Sequence, residues 1–243
     1  GKVTGMVDPR TETNAGLSRL MIGAEPPQLQ HKAVKAGAVV MAVQGLSMPK
    51  LDQFGTTLSD IAFDVRAGEI VGVAGVSGNG QQELMAALSG EDPRGPAGSI
   101  KLFGKDIASH SPRRRRREGL YFVPEERLGR GAVPVMSLAQ NTLLTRTEGV
   151  SASGWINTSK VELLAANLIS RFNVKAGGTG AAAKSLSGGN LQKFIVGREI
   201  DANPKLLIVS QPTWGVDVGA AALIRGELLK LRDAGCALLV VSE

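Results

Sequence analysis

The sequence predicts an α/β protein whose strands form a parallel β-sheet. An apolar run at residues 70–74 leads into a glycine-rich turn and then into a helical pattern. Further along, strand-like runs at 206–209 and 237–241 enclose a helical run at 220–232. Strands that alternate with helices in this way pair in parallel, and the helices cover the sheet. The 31 glycines suit the many tight turns of such a fold.

The other elements follow from local periodicity. Alternating apolar residues predict strands at 40–43 and 61–65, and residues 99–104 continue a β layer. Residues 120–123 are apolar throughout, which indicates a buried strand. A later helix is predicted from an apolar face that comprises Val161, Leu164, Leu168 and Phe172.

The glycine-rich turn has the layout of a P-loop, G-x-x-x-x-G-K-[ST], with both glycines in place. Gln81 stands where that motif has its lysine, and Gln82 stands where it has the metal-binding hydroxyl. A glutamine can donate hydrogen bonds but brings no charge to the β and γ phosphates. The backbone N–H groups still offer a phosphate seat, although a strand-to-helix turn without a ligand has the same composition. The candidate phosphate-binding residues are Gly75, Ser77, Gly78, Asn79, Gly80, Gln81 and Gln82.

A second phosphate seat is predicted at residues 186–192, which read Leu-Ser-Gly-Gly-Asn-Leu-Gln and adjoin an amphipathic run at 191–200. A serine and two glycines at a helix N-terminus present backbone N–H groups and a hydroxyl to an anion, with the helix dipole behind them. The candidate residues here are Ser187, Gly188, Gly189, Asn190 and Gln192.

Four segments in order resemble the nucleotide-binding domain of an ABC transporter: the glycine-rich loop, residues 123–127 (Val-Pro-Glu-Glu-Arg), the 186–192 signature, and residues 211–213 (Gln-Pro-Thr). The nearest likeness is to the second ATP-binding domain of importers for nucleosides and simple sugars. This resemblance implies a P-loop NTPase fold of the ABC ATPase type. Such a fold has a RecA-like parallel-sheet core, an antiparallel β subdomain and a helical subdomain, here at about 127–195.

The resemblance also implies an impaired catalytic site. It places Ser210 where the family has a metal-organising aspartate and Gln211 where it has a catalytic glutamate; an amide cannot accept a proton from attacking water. Glu125 takes the position of the Q-loop glutamine, and Glu243 that of the switch histidine. Gln82 and Glu125 remain candidate Mg²⁺ ligands. We therefore expect weak or absent binding of ATP and Mg²⁺ in this half, and no hydrolysis by it alone.

The signature residues, by contrast, match the family closely. Domains of the family pair head to tail, so the resemblance implies that Ser187, Gly188 and Gly189 bind the γ-phosphate of ATP held by another domain. Asn190 replaces the signature glutamine and keeps an amide. Asp217 matches the D-loop that crosses this interface, although an ordinary turn aspartate is the alternative.

The resemblance implies a domain division and partners. Residues 1–36, with strand-like 2–8, helical 14–22 and a linker at 24–31, are expected to be the tail of a preceding nucleotide-binding domain. Residues 37–243 are expected to be a nucleotide-binding domain that is incomplete at its C-terminus, so the chain is interpreted as a fragment truncated at both ends. The expected partners are the first nucleotide-binding domain of the same or another chain, transmembrane permease subunits and, indirectly, an extracytoplasmic substrate-binding protein. The expected location is the cytoplasmic face of the plasma membrane.

The net charge of +6 and the pI near 9.7 owe much to five consecutive arginines at 113–117. Pro112 at a first helical position after Ser111 predicts a short helix here. A solvated helix face is the favoured interpretation of the run, and a surface for anionic lipid or nucleotide is the alternative. Specific binding of nucleic acid is not expected, because no aromatic residues interleave with the arginines.

Two rival functions remain. The arginine run favours a non-transport ABC ATPase that acts on nucleic acid or ribosomes. A P-loop kinase or GTPase ranks last, because the lysine is missing and the signature stays unexplained.

The rare residues carry weaker expectations. Phe54 and Trp214 are interpreted as packed residues rather than as rings that flank a nucleotide. Cys236 is the single cysteine, which excludes an internal disulfide, and we expect it in the core. His31 and His110 lie in polar stretches without metal-ligand spacing. No run approaches the roughly twenty apolar residues that a membrane span requires.

Overall fold

The computed structural model describes residues 35–147, 150–152 and 155–242, together with residues 3, 5–8, 10–13, 16, 19 and 20. The predicted linker at 24–31 and Glu243 lie outside these residues. The strand predicted at 2–8 is wrong for its described positions, which take no strand conformation because no described segment pairs with them. Residues 16, 19 and 20 are helical, in agreement with the helix predicted at 14–22.

From residue 35 onward, strands and helices alternate much as predicted. The strands are β1 (Val39–Met48), β2 (Leu58–Arg66), β3 (Ile70–Ala74), β4 (Ile100–Leu102), β5 (Lys105–Asp106), β6 (Leu120–Val123), β7 (Ser151–Ala152), β8 (Trp155–Ile156), β9 (Leu206–Ser210) and β10 (Ala237–Ser242). The helices are α1 (Gln81–Ser89), α2 (Pro112–Arg117), α3 (Leu138–Leu143), α4 (Thr158–Arg171), α5 (Gly188–Ile200) and α6 (Val218–Asp233).

Two larger sheets carry the fold. The first is antiparallel, in the order β2-β1-β4-β5, and the second is parallel, in the order β3-β10-β9-β6. In the parallel sheet Val240 pairs with Gly72 on one side and with Val209 on the other. Within the described residues β3 pairs with β10 alone and β6 with β9 alone, so β3 and β6 are the outer strands. The expected parallel core beside an antiparallel subdomain is confirmed.

Apolar side chains fill both faces of the parallel sheet. Leu239 points into a core shared with the antiparallel sheet and α1, whereas its neighbour Leu238 points into a second core against α5 and α6. Because successive side chains of a strand point to opposite faces, β10 is buried on both sides. This explains why its sequence is an unbroken apolar run, as parallel strands usually are.

Helices α3 and α4 form the helical part of the chain. Ser137 and Gln140 make a reciprocal capping box at the start of α3, and the Asn157 side chain caps α4. The predicted apolar face of α4 is confirmed, since Val161, Leu168 and Phe172 are buried and Leu164 packs against the same core.

Helix α5 differs from its prediction. An amphipathic helix was expected at 191–200, yet every residue in that range is buried. The helix lies against β6, α4 and α6, so its polar side chains face protein rather than solvent. Hydrophobic periodicity cannot reveal polar residues that are buried because they are paired.

The arginine run forms α2, with Ser111 and Pro112 at its start as predicted. The solvated-face interpretation is wrong for Arg115, whose side chain has no solvent exposure. Its guanidinium donates to the carbonyl oxygens of Ala87 (2.6 Å), Leu88 (2.7 Å), Ala108 (2.9 Å) and His110 (2.9 Å). Burial lowers the pKa of Arg115 to about 10.

No helix in the described part of the chain has the length and apolar character needed to cross a membrane.

Candidate nucleotide-binding site

The glycine-rich loop joins β3 to α1 at the carboxyl end of the parallel sheet. Gly78 (φ 88°) and Gly80 (φ 97°) take left-handed backbone conformations that L side chains rarely adopt. A Cβ on Gly80 would also lie 3.2 Å from side-chain atoms of both Leu58 and Thr56. The loop therefore needs glycine at these positions, which is the reason the motif was legible in the sequence.

The Gln81 side chain folds back onto this loop. Its Oε1 accepts a hydrogen bond from the Asn79 N–H (3.0 Å), and its Nε2 donates to the Val76 carbonyl (2.9 Å). The amide thus occupies one of the backbone donors that a phosphate would use. A phosphate that enters the loop must displace an uncharged amide and gains no cation from that position.

A cavity lies over this loop and over the ends of β3, β9 and β10; we call it the P-loop cavity. It is lined by Gly75, Ser77, Gly78, Gln81, Gln82, Met85, Phe122, Glu125, Glu126, Arg130, Ser210, Gln211, Val241 and Ser242. Eight predicted site residues therefore meet in one place, while Asn79 and Gly80 belong to the loop without lining the cavity. Ser242 donates a long hydrogen bond to the Gln211 side-chain oxygen (3.5 Å).

Sequence reasoning missed two charged residues of the P-loop cavity, Glu126 and Arg130. Arg130 forms ion pairs with Glu91 and, at 3.5 Å, with Glu126. Glu125 and Glu126 follow directly after β6, and side chains at the carboxyl ends of parallel strands converge. That rule was the available signal for Glu126. The position of Arg130 depends on a partner 39 residues away and left no local signal.

The predicted second phosphate seat lies at the start of α5, and we call Ser187, Gly188, Gly189 and Asn190 the signature cap. Ser187 and Gly188 are exposed, and none of the four residues lines the P-loop cavity. The Asn190 amide donates to Ser187 Oγ (2.9 Å) and accepts from the Lys175 N–H (2.8 Å). The signature cap is thus held in shape at the surface, apart from the chain's own cavity.

Asp217 begins α6, beside the signature cap. Its Oδ1 accepts from the Ala220 N–H (2.8 Å), which is a helix-capping contact. Its Oδ2 would lie 3.2 Å from a Cβ built on Gly189. One carboxylate oxygen of Asp217 therefore caps α6, as the ordinary turn interpretation expects. The other oxygen faces the signature cap. Gln192, one turn further along α5, is buried and donates to the Pro212 carbonyl (3.2 Å).

Both aromatic expectations are wrong. Phe54 is 89% exposed and Trp214 is 62% exposed, so neither ring is packed in the core. Trp214 instead lies under the guanidinium of Arg127, at 5.9 Å from the ring centroid.

Cys236 is buried as predicted, and burial raises the pKa of its thiol to about 12. His110 contacts Glu118 (3.0 Å), and His31 lies outside the described residues.

These features define a class: a P-loop nucleotide-binding domain with an antiparallel sheet beside its parallel core and a helix that opens with Ser-Gly-Gly. Residues 58–214 match the ABC transporter family, which is more than half of the chain. The chain therefore belongs to the ABC transporter family.

Individual relatives show which ABC transporter proteins the chain resembles. The chain is 41% identical to the nucleoside import ATP-binding protein NupA of Lactococcus lactis subsp. cremoris, over 100% of this chain and 48% of that protein. It is 39% identical to the guanosine import ATP-binding protein NupO of Bacillus subtilis, with the same two coverages. It is 34% identical to the ribose import ATP-binding protein RbsA 1 of Streptomyces avermitilis, over 100% of this chain and 45% of that protein. The chain spans about half the length of the curated relatives it matches.

Solved structures agree on the fold. A nucleotide-free ATP-binding cassette of an ABC transporter superposes with a TM-score of 0.67 at 20% identity, over 85% of this chain and 82% of that one. A dimeric cassette in a post-hydrolysis state with ADP and phosphate gives a TM-score of 0.69 at 19% identity, over 84% and 88%.

Domains of this family bind ATP with Mg²⁺, so the donors of the P-loop cavity can be compared with what that ligand requires. Gln81 and Gln82 replace the phosphate-binding cation and the metal-binding hydroxyl, and Ser210 and Gln211 are uncharged. Arg130 does bring a cation, but Glu91 and Glu126 already pair with it. This cavity therefore lacks the lysine and the hydroxyl with which a P-loop holds Mg²⁺–ATP, and its carboxylates come from Glu125 and Glu126.

Proposed function

We propose that this chain is an ATP-binding domain of an importer for nucleosides or simple sugars, and that it supplies the signature cap to ATP held by a partner nucleotide-binding domain. The printed functions of NupA, NupO and RbsA 1 support the substrate class. Its own P-loop cavity contributes no hydrolysis. In this proposal the domain works at the cytoplasmic face of the membrane, beside permease subunits that receive substrate from an extracytoplasmic binding protein.

One observation carries the proposal: the signature cap keeps the residues that bind phosphate, whereas the P-loop cavity does not. The signature cap is exposed and keeps its Ser-Gly-Gly sequence at a helix N-terminus. In the P-loop cavity, Gln81, Gln82 and Gln211 stand in place of the lysine, the metal-binding hydroxyl and the catalytic glutamate. The Gln81 side chain also fills part of the loop. A domain with an intact cap and an impaired cavity acts on nucleotide bound elsewhere.

The helical part offers a surface for the permease subunits. Val135 is 71% exposed, and Trp155 and Leu163 are exposed to similar degrees. We take these exposed apolar side chains of the helical part as candidates for a protein contact. In this proposal ATP-driven closure reaches the permease through residues 125–140, which include Val135.

The test uses the transporter assembled from the polypeptide that contains this chain, its partner domain and the permease. Gly189→Asp places a second carboxylate against Asp217 and beside the expected γ-phosphate, so ATP hydrolysis should fall at least about 100-fold. Gly226→Ala is the matched control, because a Cβ there meets nothing within 4 Å, and its rate should stay at the wild-type level.

Two results would contradict the proposal. One is a wild-type rate in the Gly189→Asp transporter. The other is ATP hydrolysis by this chain alone at about 1 per second or faster, which is typical of enzymes.

The nucleic-acid alternative loses support from the structure. Arg115 is buried among carbonyls, and Arg116 is paired with the buried Glu199 at 2.5 Å. A continuous basic surface over all five arginines therefore does not exist.

A further inference from the structure

We propose that Arg127 is a positioning residue that ties the loop beside the P-loop cavity to the signature cap. This inference rests on the proposed function, in which the cap closes over ATP bound by a partner domain. Arg127 itself touches no nucleotide in this proposal. It sets the orientation of the groups that do.

Arg127 joins three segments that are far apart in sequence. Its Nε donates to the Gln192 side-chain oxygen on α5 (3.1 Å), and its Nη2 donates to the Trp214 carbonyl, 87 residues away. Gln192 completes the connection by donating to the Pro212 carbonyl (3.2 Å). One planar guanidinium thus fixes the first turns of α5 relative to the segment between β9 and α6.

The contact reaches the signature cap directly. A Cβ on Gly188 would lie 2.7 Å from Arg127 Nη1, and a Cβ on Gly215 would lie 3.4 Å from Nη2. Only glycine at position 188 leaves room for the guanidinium where it is. The first glycine of the cap therefore accommodates Arg127 as well as exposing backbone N–H groups.

The other end of the connection is the P-loop cavity. Glu125, Glu126 and Arg130 line that cavity, and Arg127 lies between them in sequence but points to α5. The turn is closed by hydrogen bonds from the Gly131 N–H to the Glu126 carbonyl (2.9 Å) and from the Ala132 N–H to the Arg127 carbonyl (2.7 Å). A turn held in this way moves as a unit, so its displacement at the cavity is passed to the cap.

Arginine is required here for its shape as well as its charge. Its planar fork donates to Gln192 and to Trp214 at the same time, whereas a lysine ammonium is a single point that cannot span both acceptors. Arg127→Lys therefore keeps the charge and removes the connection, which makes it the informative variant.

The first experiment reads the contact through Trp214 in this chain. The chain has two tryptophans, so Trp155→Phe leaves Trp214 as the single fluorophore. In that background Arg127→Lys should raise acrylamide quenching of Trp214 about twofold, with an unchanged circular dichroism spectrum, because the cation leaves the ring face. Arg171→Lys is the control, since Arg171 stacks on Phe172 instead and should leave the quenching unchanged.

Gly188→Ala supplies an independent variant for the same readout. Its Cβ displaces Nη1, so it should raise quenching as Arg127→Lys does, and it should add nothing further in a chain that already carries Arg127→Lys. Unchanged quenching in Arg127→Lys, or an equal rise in Arg171→Lys, overturns the inference.

The second experiment measures steady-state hydrolysis by the assembled transporter. Arg127→Lys should lower kcat about tenfold and leave the KM for ATP within about twofold, at the ATP-binding stoichiometry of the wild type, because the cap acts after ATP has bound. Arg171→Lys should retain the wild-type kcat.

The two proposals fail in different ways. If Gly189→Asp abolishes hydrolysis while Arg127→Lys keeps the wild-type kcat, the positioning role is refuted and the proposed function stands. If Gly189→Asp keeps the wild-type rate, the proposed function is refuted, and the positioning role with it.

Discussion

Arg115 has no solvent exposure, and all four of its hydrogen bonds end on backbone carbonyls. Two of these carbonyls, those of Ala87 and Leu88, lie in the last turn of α1, where helical carbonyls lack an intrahelical partner. A cation at that end also complements the helix dipole. The side chain therefore supplies donors to the last carbonyls of the helix that begins at the glycine-rich loop and has Gly90 as its C-cap.

We expect Arg115→Ala to lower the free energy of unfolding by about 2–4 kcal/mol, because it leaves buried carbonyls without donors and a cavity in place of the side chain. Arg114→Ala on the same helix should cost less than about 0.5 kcal/mol, since its side chain is 64% exposed and pairs only with Glu118. Urea unfolding of the two variants measures the difference. Equal losses would show that the burial of Arg115 does not stabilise the chain.

Single residues were predictable where the backbone itself dictates the residue type. Gly80 is an example, because its left-handed backbone and close neighbours admit no side chain. Arg127 and Arg130 are the opposite case, since nothing in their local sequence indicates which atoms their guanidinium groups contact. Phe54 and Trp214 were misjudged because large aromatic residues are usually well buried, whereas both of these are exposed.

Between elements, Glu199 connects α5 to two other helices. This fully buried carboxylate accepts hydrogen bonds from Arg116 of α2 (2.5 Å), from Thr145 just after α3 (2.8 Å) and from Arg198 (2.8 Å). Burial disfavours its charge, but Arg198 and Arg116 outweigh that effect and lower the pKa of Glu199. Arg198 and Glu199 are buried because they form this network.

Glu199→Gln should lower the free energy of unfolding by about 3–5 kcal/mol, because it leaves two arginines without their shared carboxylate. Because the pKa of Glu199 is lower in the folded state, its contribution is complete above the ordinary value of 4.5 and is lost as pH falls through the folded pKa. Wild type and variant should therefore converge in stability toward low pH. Glu162→Gln, at an exposed position on α4, is the control and should show neither effect. A constant difference at every pH would contradict the assignment.

Elements with one buried face and one solvated face were predicted well, whereas α5, whose residues 191–200 are all buried, was not. The apolar face of α4 repeats at helical spacing, so its sequence alone indicated where it packs. Helix α5 carries Gln192, Arg198 and Glu199 in the interior, and its sequence looks half-exposed. Such a helix can be recognised only when the partners of its polar side chains are known.

At the scale of the whole molecule, the ionisation of the Cys236 thiol is coupled to unfolding. It is buried beside β10, and burial raises the pKa of its thiol from an ordinary value of 9.0 to about 12. A thiol that resists ionisation in the folded state stabilises it fully below pH 9, and this contribution is lost as pH rises toward 12.

We therefore expect the free energy of unfolding of the wild type to fall faster above pH 9 than that of Cys236→Ala, by up to about 1.4 kcal/mol per pH unit. Urea unfolding at pH 8 and pH 10 compares the two slopes and cancels the groups that both proteins share. Parallel slopes would show that the folded thiol ionises freely.

The overall architecture was recoverable from sequence because the order of motifs constrains it. A glycine-rich loop after one strand and polar residues after two others must gather at one edge of a parallel sheet, and they do so in the P-loop cavity. The separation of the signature cap from that cavity came from a resemblance alone, since no spacing rule determines which surface a distant helix N-terminus faces.

The outer position of β3 has a consequence for how the chain behaves in a test tube. Its apolar side chains are only partly covered, and no other segment that the structure describes pairs with its second backbone edge, which can accept an extended peptide. Two copies that meet along this edge can continue one another's hydrogen-bonding ladder. Because β3 ends directly before the glycine-rich loop, a lysine that discourages such pairing belongs near Ile70, at the opposite end of the strand.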